Sequence, residues 1–397
     1  MARLGTVVST DHASTLLFLP LAHVFARLVQ VLAFTAGARL GHTADVKQAM
    51  PDLAEFRPTF ILAVPRVFEK IYNASEARSD GEGRGKAFRY AAQVAEQWSR
   101  AQQDGGAGVV LKAKHAAFDK LVYARIREAM GGRIEYCVSG GAPLGERLGH
   151  FFHGAGITVL EGYGLTETTA PATVNTPDSL RIGTVGPPLP GVSIRVDDTG
   201  EVLVRGHNVM AGYWNNPEAS AEVLDDGWFR TGDLGELDAD GFLRITGRRK
   251  EILVTAGGKN VAPAVLEDRI RANTIVSQCI VVGDARPYVA ALVTLDDEML
   301  PAWLKHQGKA QMSVEEAAGD EDVQREVQRA VDDANDQVSK AESIRRFRIL
   351  PVDFTEQGGY VTPSLKLKRG VVMKDFAAEV EEPLPLTRPA ETPTAGR

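Results

Sequence analysis

The chain has 397 residues, of which 44% are apolar and 24% charged, and a net charge of −7 at pH 7. That length exceeds one ordinary domain, and the composition is that of a soluble globular protein, not a disordered or fibrous one. The negative balance argues against bulk attraction to nucleic acid, so no nucleic-acid partner is expected.

The two cysteines, Cys137 and Cys279, each lie inside an apolar run. They read as buried small hydrophobes in a reducing compartment, not as a disulfide or a metal site. No signal peptide or transmembrane span is legible. The most apolar stretch, Leu16 to Leu40, is interrupted by Pro20, His23, Arg27, Gln30 and Arg39. A cytoplasmic protein is expected, and contact with a membrane periphery stays compatible with this.

In chain order, Thr15–Leu19 reads as a buried strand and Val24 to Thr35 as an apolar helix. Thr59–Val64 is a β-rich run, and Pro65 starts a helix with Val67, Phe68 and Ile71 on one face. Two amphipathic helices come next, near 86–103 and 112–129, joined by a Gly-rich loop at 104–108. Arg133–Val138 is a strand, Pro143 opens a helix to about His153, and Ile157–Leu160 is a strand. Strands alternating with helices predict a mostly parallel α/β sheet. From Ile182 to Phe242, short strands and Gly/Pro turns predict a small antiparallel unit.

Thr231 to Asn260 is dense in turns and charge. Asp233 follows Gly232, where a tight turn can aim a carboxylate. Asp240-Gly241 is a hairpin signal. Gly247-Arg248-Arg249-Lys250 ends a strand with cations, and Glu251–Thr255 is a new strand that Gly257-Gly258 can turn back. Such a joint suits a hinge between domains; it suits equally a pair of surface hairpins.

Beyond it the pattern is α+β. Pro263 sits at a helix start with Val265, Leu266 and Ile270 on one face. Cys279–Val282, Ala290–Leu295 and Arg348–Pro351 read as strands. Residues 321–340 read as a helix with Val323, Val327, Val331, Ala334 and Val338 as its packing stripe. Glu379 to Arg397, rich in Pro, Glu and Thr, is expected to be disordered.

Three constellations carry chemistry. Ser139-Gly140-Gly141-Ala142-Pro143-Leu144 lies between a strand and a helix, where glycines admit a flat ligand and a helix N-terminus attracts anions. In Glu161-Gly162-Tyr163-Gly164-Leu165-Thr166-Glu167, Tyr163 offers a face to a base, Thr166 a hydroxyl to a phosphate, and Glu167 a carboxylate to Mg²⁺. Thr166–Glu167 also reads as a helix cap with an acidic first turn. Thr362 to Arg369 is a basic cluster after Gly358-Gly359, in a loop able to carry a lysine.

These motifs resemble the adenylate-forming, AMP-binding superfamily. The matching order is Leu19-Pro20-Leu21-Ala22-His23, Gly140–Pro143, Tyr163–Glu167, Thr231-Gly232-Asp233, Gly247-Arg248 and Lys366. The stretches Phe56–Lys70 and Thr362–Arg369 are most similar to long-chain fatty-acid–CoA ligases. The resemblance implies a fold of two parts. Residues 1–248 would be part of the large domain, a parallel α/β sheet plus a small antiparallel unit. Residues 249–378 would be a small mobile α+β domain, with 379–397 as its tail.

It further implies ATP, Mg²⁺, CoA and a long-chain fatty acid as the molecules handled. Lys366 would bridge the acid and the α-phosphate, with Thr166 on phosphate, Glu167 on Mg²⁺ and His23 at the junction of acyl and phosphate sites. Asp233 would bind the ribose with Arg248 beside it. Gly140, Gly141, Ala142, Pro143, Glu161, Gly162, Tyr163 and Gly164 would frame the adenine. Lys250 would be the hinge, and Gly257, Gly258 and Lys259 would form the CoA channel. A core histidine remains an alternative for His23.

The family also has a Ser/Thr/Gly-rich phosphate loop upstream of the Leu-Pro-Leu-x-His motif. None is found in the fifteen residues before Leu16. The expectation is therefore a chain lacking the first part of the large domain, impaired or inactive by itself, with uncovered apolar faces that favour self-association. An adenylation domain serving a carrier protein, or a non-catalytic remnant, are the alternatives.

Overall fold

A computed structural model describes residues 12–43, 48–103, 105–362 and 366–381. The chain divides into two compact units: residues up to 71 with 86–246, and residues 72–85 with 247 onward.

In the first unit, β1 (Ser14–Leu17) pairs in parallel with β2 (Arg39–His42) around the helix Val24–Ala36. Next come β3 (Phe60–Ala63), β4 (Tyr136–Ser139), β5 (Thr158–Leu165) and β6 (Ala170–Val174). They form one sheet in that order, parallel from β3 to β5 and antiparallel between β5 and β6. All four residues of β3 are buried, as for a strand covered on both faces.

The helix over the β4–β5 crossover, Glu146–Gly154, packs Phe151 and Phe152 beside Phe68 and Phe88. Phe68 and Phe152 meet edge to face at 5.5 Å, and Phe151 and Phe152 at 5.1 Å. The helix predicted near 112–129 begins at Val109 and carries a π-helical segment, Asp119–Tyr123, where the Tyr123 hydroxyl donates to Ala91 O at 2.7 Å.

The antiparallel unit is β7 (Val192–Val196), β8 (Glu201–Gly206), β9 (Leu224–Asp225), β10 (Trp228–Leu237) and β11 (Leu243–Arg248), ordered β11-β10-β8-β7 with β9 on β10. The Asp240-Gly241 turn joins β10 to β11, held by Asp238 Oδ1 accepting the N–H groups of Asp240 and Phe242.

The second unit has a short hairpin, β12 (Leu253–Val254) with β13 (Asn260–Val261), and a sheet of β14 (Val276–Val282), β15 (Val289–Leu295) and β16 (Ile344–Ile349). One sheet face packs Val281, Ala291 and Val293 against Leu266, Ile270, Val323, Val327 and Val331 of the helices Pro263–Arg271 and Glu321–Asn335. The other packs Ile280, Val282, Ala290 and Leu292 under Phe354, Tyr360 and Phe376. Alternate strand residues thus feed two cores.

Several predicted boundaries are corrected. The helix expected from Pro143 starts at Glu146, because Pro143 and Leu144 stay in the turn. The strand expected at 133–138 is β4, and that at 348–351 begins four residues earlier. The Glu251–Thr255 strand is only β12, preceded by a 3-10 turn over Arg249–Glu251. Val265 is 45% exposed, not core. The stripe of helix 321–335 ends at Ala334, and Val338 packs on the core from beyond the helix end. Glu379 to Glu381 lie in a helix, Ala377–Glu381; residues 382–397 lie outside the described residues.

Candidate functional site

The motif residues Gly140–Pro143, Glu161–Glu167 and Asp233 gather at the carboxyl ends of β4 and β5, where open parallel sheets bind ligands. Gly140–Pro143 form the turn leaving β4. The turn is tied to β5 by the buried Glu161 carboxylate, whose Oε2 accepts the Leu144 N–H at 3.1 Å. The Ser139 hydroxyl is buried at the head of this turn and has no hydrogen-bond partner among the described residues.

β5 runs extended through Gly162, Tyr163 and Gly164 to Leu165, further than the predicted end at Leu160. Gly164 faces β6 at a register shift, and a Cβ there would lie 1.9 Å from Ala170 O. Only glycine permits that approach. Thr166–Thr168 then form a single 3-10 turn, and the Thr168 hydroxyl, not that of Thr166, caps it by accepting the Leu165 N–H at 2.9 Å. The Thr166 side chain is left at the surface. Glu167 is half-buried, and its Oε1 accepts the Tyr213 hydroxyl at 3.0 Å.

Asp233 arrives from β10, at an irregularity in its pairing with β8 between Arg230 and Leu234. Thr231 Oγ1 donates to Val202 O at 2.7 Å and accepts the Asp233 N–H at 3.1 Å, while Gly232 N–H donates to Glu201 Oε1 at 3.0 Å. Arg230 pairs with Glu201 and Asp197 beneath. This anchored kink presents Asp233, 3% exposed, to the Tyr163 hydroxyl at 2.6 Å. His23 is half-buried and caps the helix Val24–Ala36, its Nδ1 accepting the Phe25 N–H at 3.2 Å.

In the second unit, Arg248 ends β11, and Lys250 is exposed on the 3-10 turn. Ala256 to Lys259 form the β12–β13 turn. Thr255 and Lys259 exchange bonds there, and Lys259 Nζ lies 3.7 Å from Glu342. The hairpin rests on the loop after β14, with Val254 N–H donating to Asp284 Oδ1 at 3.0 Å and Ala256 N–H to Arg286 O at 2.8 Å. Lys366 is exposed. Its N–H donates to Thr362 Oγ1 at 3.1 Å, and its carbonyl accepts the Thr362 N–H at 2.8 Å. Residues 363–365 between them lie outside the described residues.

Sequence reasoning missed Tyr213, Asn208 and Glu201, which brace this site from positions distant in sequence. The aromatic pair Tyr213-Trp214, set in a Gly/Asn-rich turn, is the one local signal for the first. Among the described residues no cluster of three or more His, Cys, Asp or Glu side chains could cage a metal ion. Glu167 as a lone carboxylate fits Mg²⁺, which is commonly held by one or two carboxylates together with substrate phosphates. No helix of the described residues is long and apolar enough to cross a membrane.

Residues 2–214 match the AMP-binding enzyme family, and residues 250–383 match the AMP-binding enzyme C-terminal domain. The chain belongs to the AMP-binding enzyme family. It is 54% identical over 367 residues to the long-chain-fatty-acid–CoA ligase FadD15 of Mycobacterium bovis, covering 92% of this chain and 61% of that protein. It is 34% identical to the long-chain-fatty-acid–CoA ligase ACSBG2 of Gallus gallus, covering 95% of this chain and 53% of that one. The chain thus spans between half and two thirds of these relatives' length. Its fold is similar to the A domain of carboxylic acid reductase from Segniliparus rugosus, with a TM-score of 0.69 and 22% identity, over 92% of this chain and 54% of that one.

Proposed function

We propose that this chain carries the ribose, metal and lysine determinants of an AMP-forming long-chain fatty-acid–CoA ligase. The observation that carries the reading is the 54% identity to FadD15 over 92% of the chain. In the first step, a fatty-acid carboxylate oxygen bonds to the α-phosphorus of ATP and pyrophosphate leaves. In the second, the CoA sulfur bonds to the acyl carbon, AMP leaves with the electron pair, and the thiol proton is released.

No enzyme nucleophile is required, so the protein's work is positioning and charge stabilisation. Asp233 accepts the ribose hydroxyls, with Arg248 beside it. Gly140, Gly141, Ala142 and Pro143, with Glu161, Gly162, Tyr163 and Gly164, frame the adenine. Thr166 bonds a phosphate oxygen, and His23 lines the junction of acyl and phosphate sites. Glu167 would hold Mg²⁺, which supplies charge neutralisation on the phosphates. Lys366 holds both reacting anions, a task that suits a flexible point charge better than a planar guanidinium. Rotation about Lys250 then exchanges Lys366 for the Gly257–Lys259 turn, which accommodates the pantetheine arm of CoA. Substrates of this kind suit the cytoplasm, with the fatty acid delivered from a membrane periphery.

The test is AMP release from a long-chain acid and ATP, with and without CoA. It is run on the 397-residue chain and on the same residues joined to the share of FadD15 that the match leaves uncovered. CoA-dependent AMP release supports the ligase. Acyl-dependent pyrophosphate exchange without CoA dependence favours delivery to a carrier protein, and no exchange in either protein overturns the proposal.

A further inference from the structure

The Glu167 carboxylate receives a hydrogen bond from a residue 46 positions away, Tyr213, at 3.0 Å on Oε1. The phenol reaches it from a segment docked on the 3-10 turn by three other bonds. Met210 N–H donates to Glu167 O at 2.7 Å, Asn208 Nδ2 donates to Thr168 O at 3.1 Å, and Thr169 Oγ1 donates to Asn208 O at 3.0 Å. The segment is closed on its far side by Ser220, whose Oγ accepts the Tyr213 N–H at 2.8 Å and donates to Asn216 O at 2.7 Å.

Backbone, amide and Thr169 and Ser220 hydroxyl bonds therefore hold this segment without the phenol. The Tyr213 hydroxyl adds something those bonds do not: it occupies one carboxylate oxygen and fixes the rotation of a half-buried, flexible glutamate. The other oxygen is then presented in a defined direction.

We propose that Tyr213 is a positioning residue for Glu167, orienting its carboxylate toward a divalent cation bound with ATP. The inference rests on the proposed assignment of Glu167 to the metal. Partners that orient metal ligands commonly contribute 10- to 100-fold in metal affinity.

The test is Mn²⁺ binding to the 397-residue chain in the presence of ATP, read by electron paramagnetic resonance, with ATP binding in EDTA as the control. Tyr213→Phe is expected to weaken Mn²⁺ binding about tenfold or more, to leave metal-free ATP binding and the circular dichroism spectrum unchanged, and to have no further effect in a Glu167→Gln background. A purely structural tyrosine would shift the spectrum or the metal-free affinity instead, and that result overturns the proposal. If Glu167→Gln weakens Mn²⁺ binding and Tyr213→Phe does not, the positioning role fails while the metal assignment stands. If Glu167→Gln has no effect, or the unaltered chain binds no Mn²⁺ with ATP, the metal assignment fails and this inference fails with it.

Discussion

The Tyr163 hydroxyl donates a 2.6 Å hydrogen bond to Asp233 Oδ2, linking β5 of the mainly parallel sheet to β10 of the antiparallel one. The bond ties two motifs 70 positions apart into a single site. Removing the donor leaves a buried carboxylate short of one partner. Tyr163→Phe should lower stability by roughly 1.5–3 kcal/mol, the usual range for a hydrogen bond to a charged group. Urea unfolding checks this. In the protein joined to the remainder of FadD15, Asp233→Ala should raise the KM for ATP about tenfold or more through lost ribose bonds. An unchanged ATP dependence in a folded variant would count against the ribose role.

Lys366 lies next to an antiparallel bridge, Val361 with Leu367. In the joined protein, Lys366→Ala should abolish acyl-dependent pyrophosphate exchange while thioester formation from supplied acyl-adenylate largely survives. Equal loss of both half-reactions would show that the lysine serves another purpose.

The β12–β13 turn separates two glycines that look alike in sequence. Gly258 has φ +76° and donates its N–H to Thr255 O at 2.8 Å, whereas Gly257 lies outside the left-handed region, and a Cβ there would come no closer than 3.9 Å to Thr255 Oγ1. Any side chain at 258 strains the backbone, at a cost of roughly 1–2 kcal/mol. Gly258→Ala should therefore destabilise the hairpin, measured as faster amide exchange at Thr255 and Lys259. Gly257→Leu is the cleaner probe of the CoA channel: slower thioester formation with normal adenylation supports the channel, and normal rates of both steps would rule it out there.

Asp197 gives a pH prediction. The Thr199 hydroxyl, then the N–H groups of Glu201 and Thr199 and the Arg230 guanidinium, hold its carboxyl down to about 2 against partial burial. A carboxyl depressed in the folded state stabilises the protein above its ordinary pKa, and that contribution fades as pH falls toward about 2. The stability gap between the unaltered chain and Asp197→Asn should therefore be full at about pH 5–7 and shrink below about pH 4. Urea midpoints across that range test it, and a constant gap would show that the substitution removes packing, not charge.

Cys137 and Cys279 are each 0% exposed, one in each unit, and burial pushes both thiols up. Ellman's reagent should react with neither in the native protein. Single Cys→Ala variants then report the unfolding of each unit separately, and fast labelling of either thiol under native conditions would contradict its burial.

Much of the site is legible along the chain, because its parts are local. Glycines mark the turns at 140–141 and 257–258 and, at 164, the close approach of two strands. Short apolar runs mark β4, β5, β14 and β15. The order of the motifs alone points to the family that residues 2–214 match. Less legible is the line between turn and element. Pro143 is a good first residue of a helix, yet Leu144 N–H is spent on Glu161 and the helix waits until Glu146.

By itself, then, the sequence determined the features that neighbours a few positions apart impose on one another: the βα alternation, the hairpin turns, the buried cysteines, and the stripe of Val323, Val327 and Val331 that faces the core. Only the tertiary structure decided which distant groups meet. Helical periodicity puts Val265 beside Leu266, but the packing of helix 263–271 on its sheet leaves Val265 in water. Tyr163 reaches Asp233, and Tyr213 reaches Glu167, because strand pairing and anchored kinks bring them within 3.0 Å. A hydrogen bond of that length depends on where two backbones pass each other, and no spacing along one chain encodes that crossing.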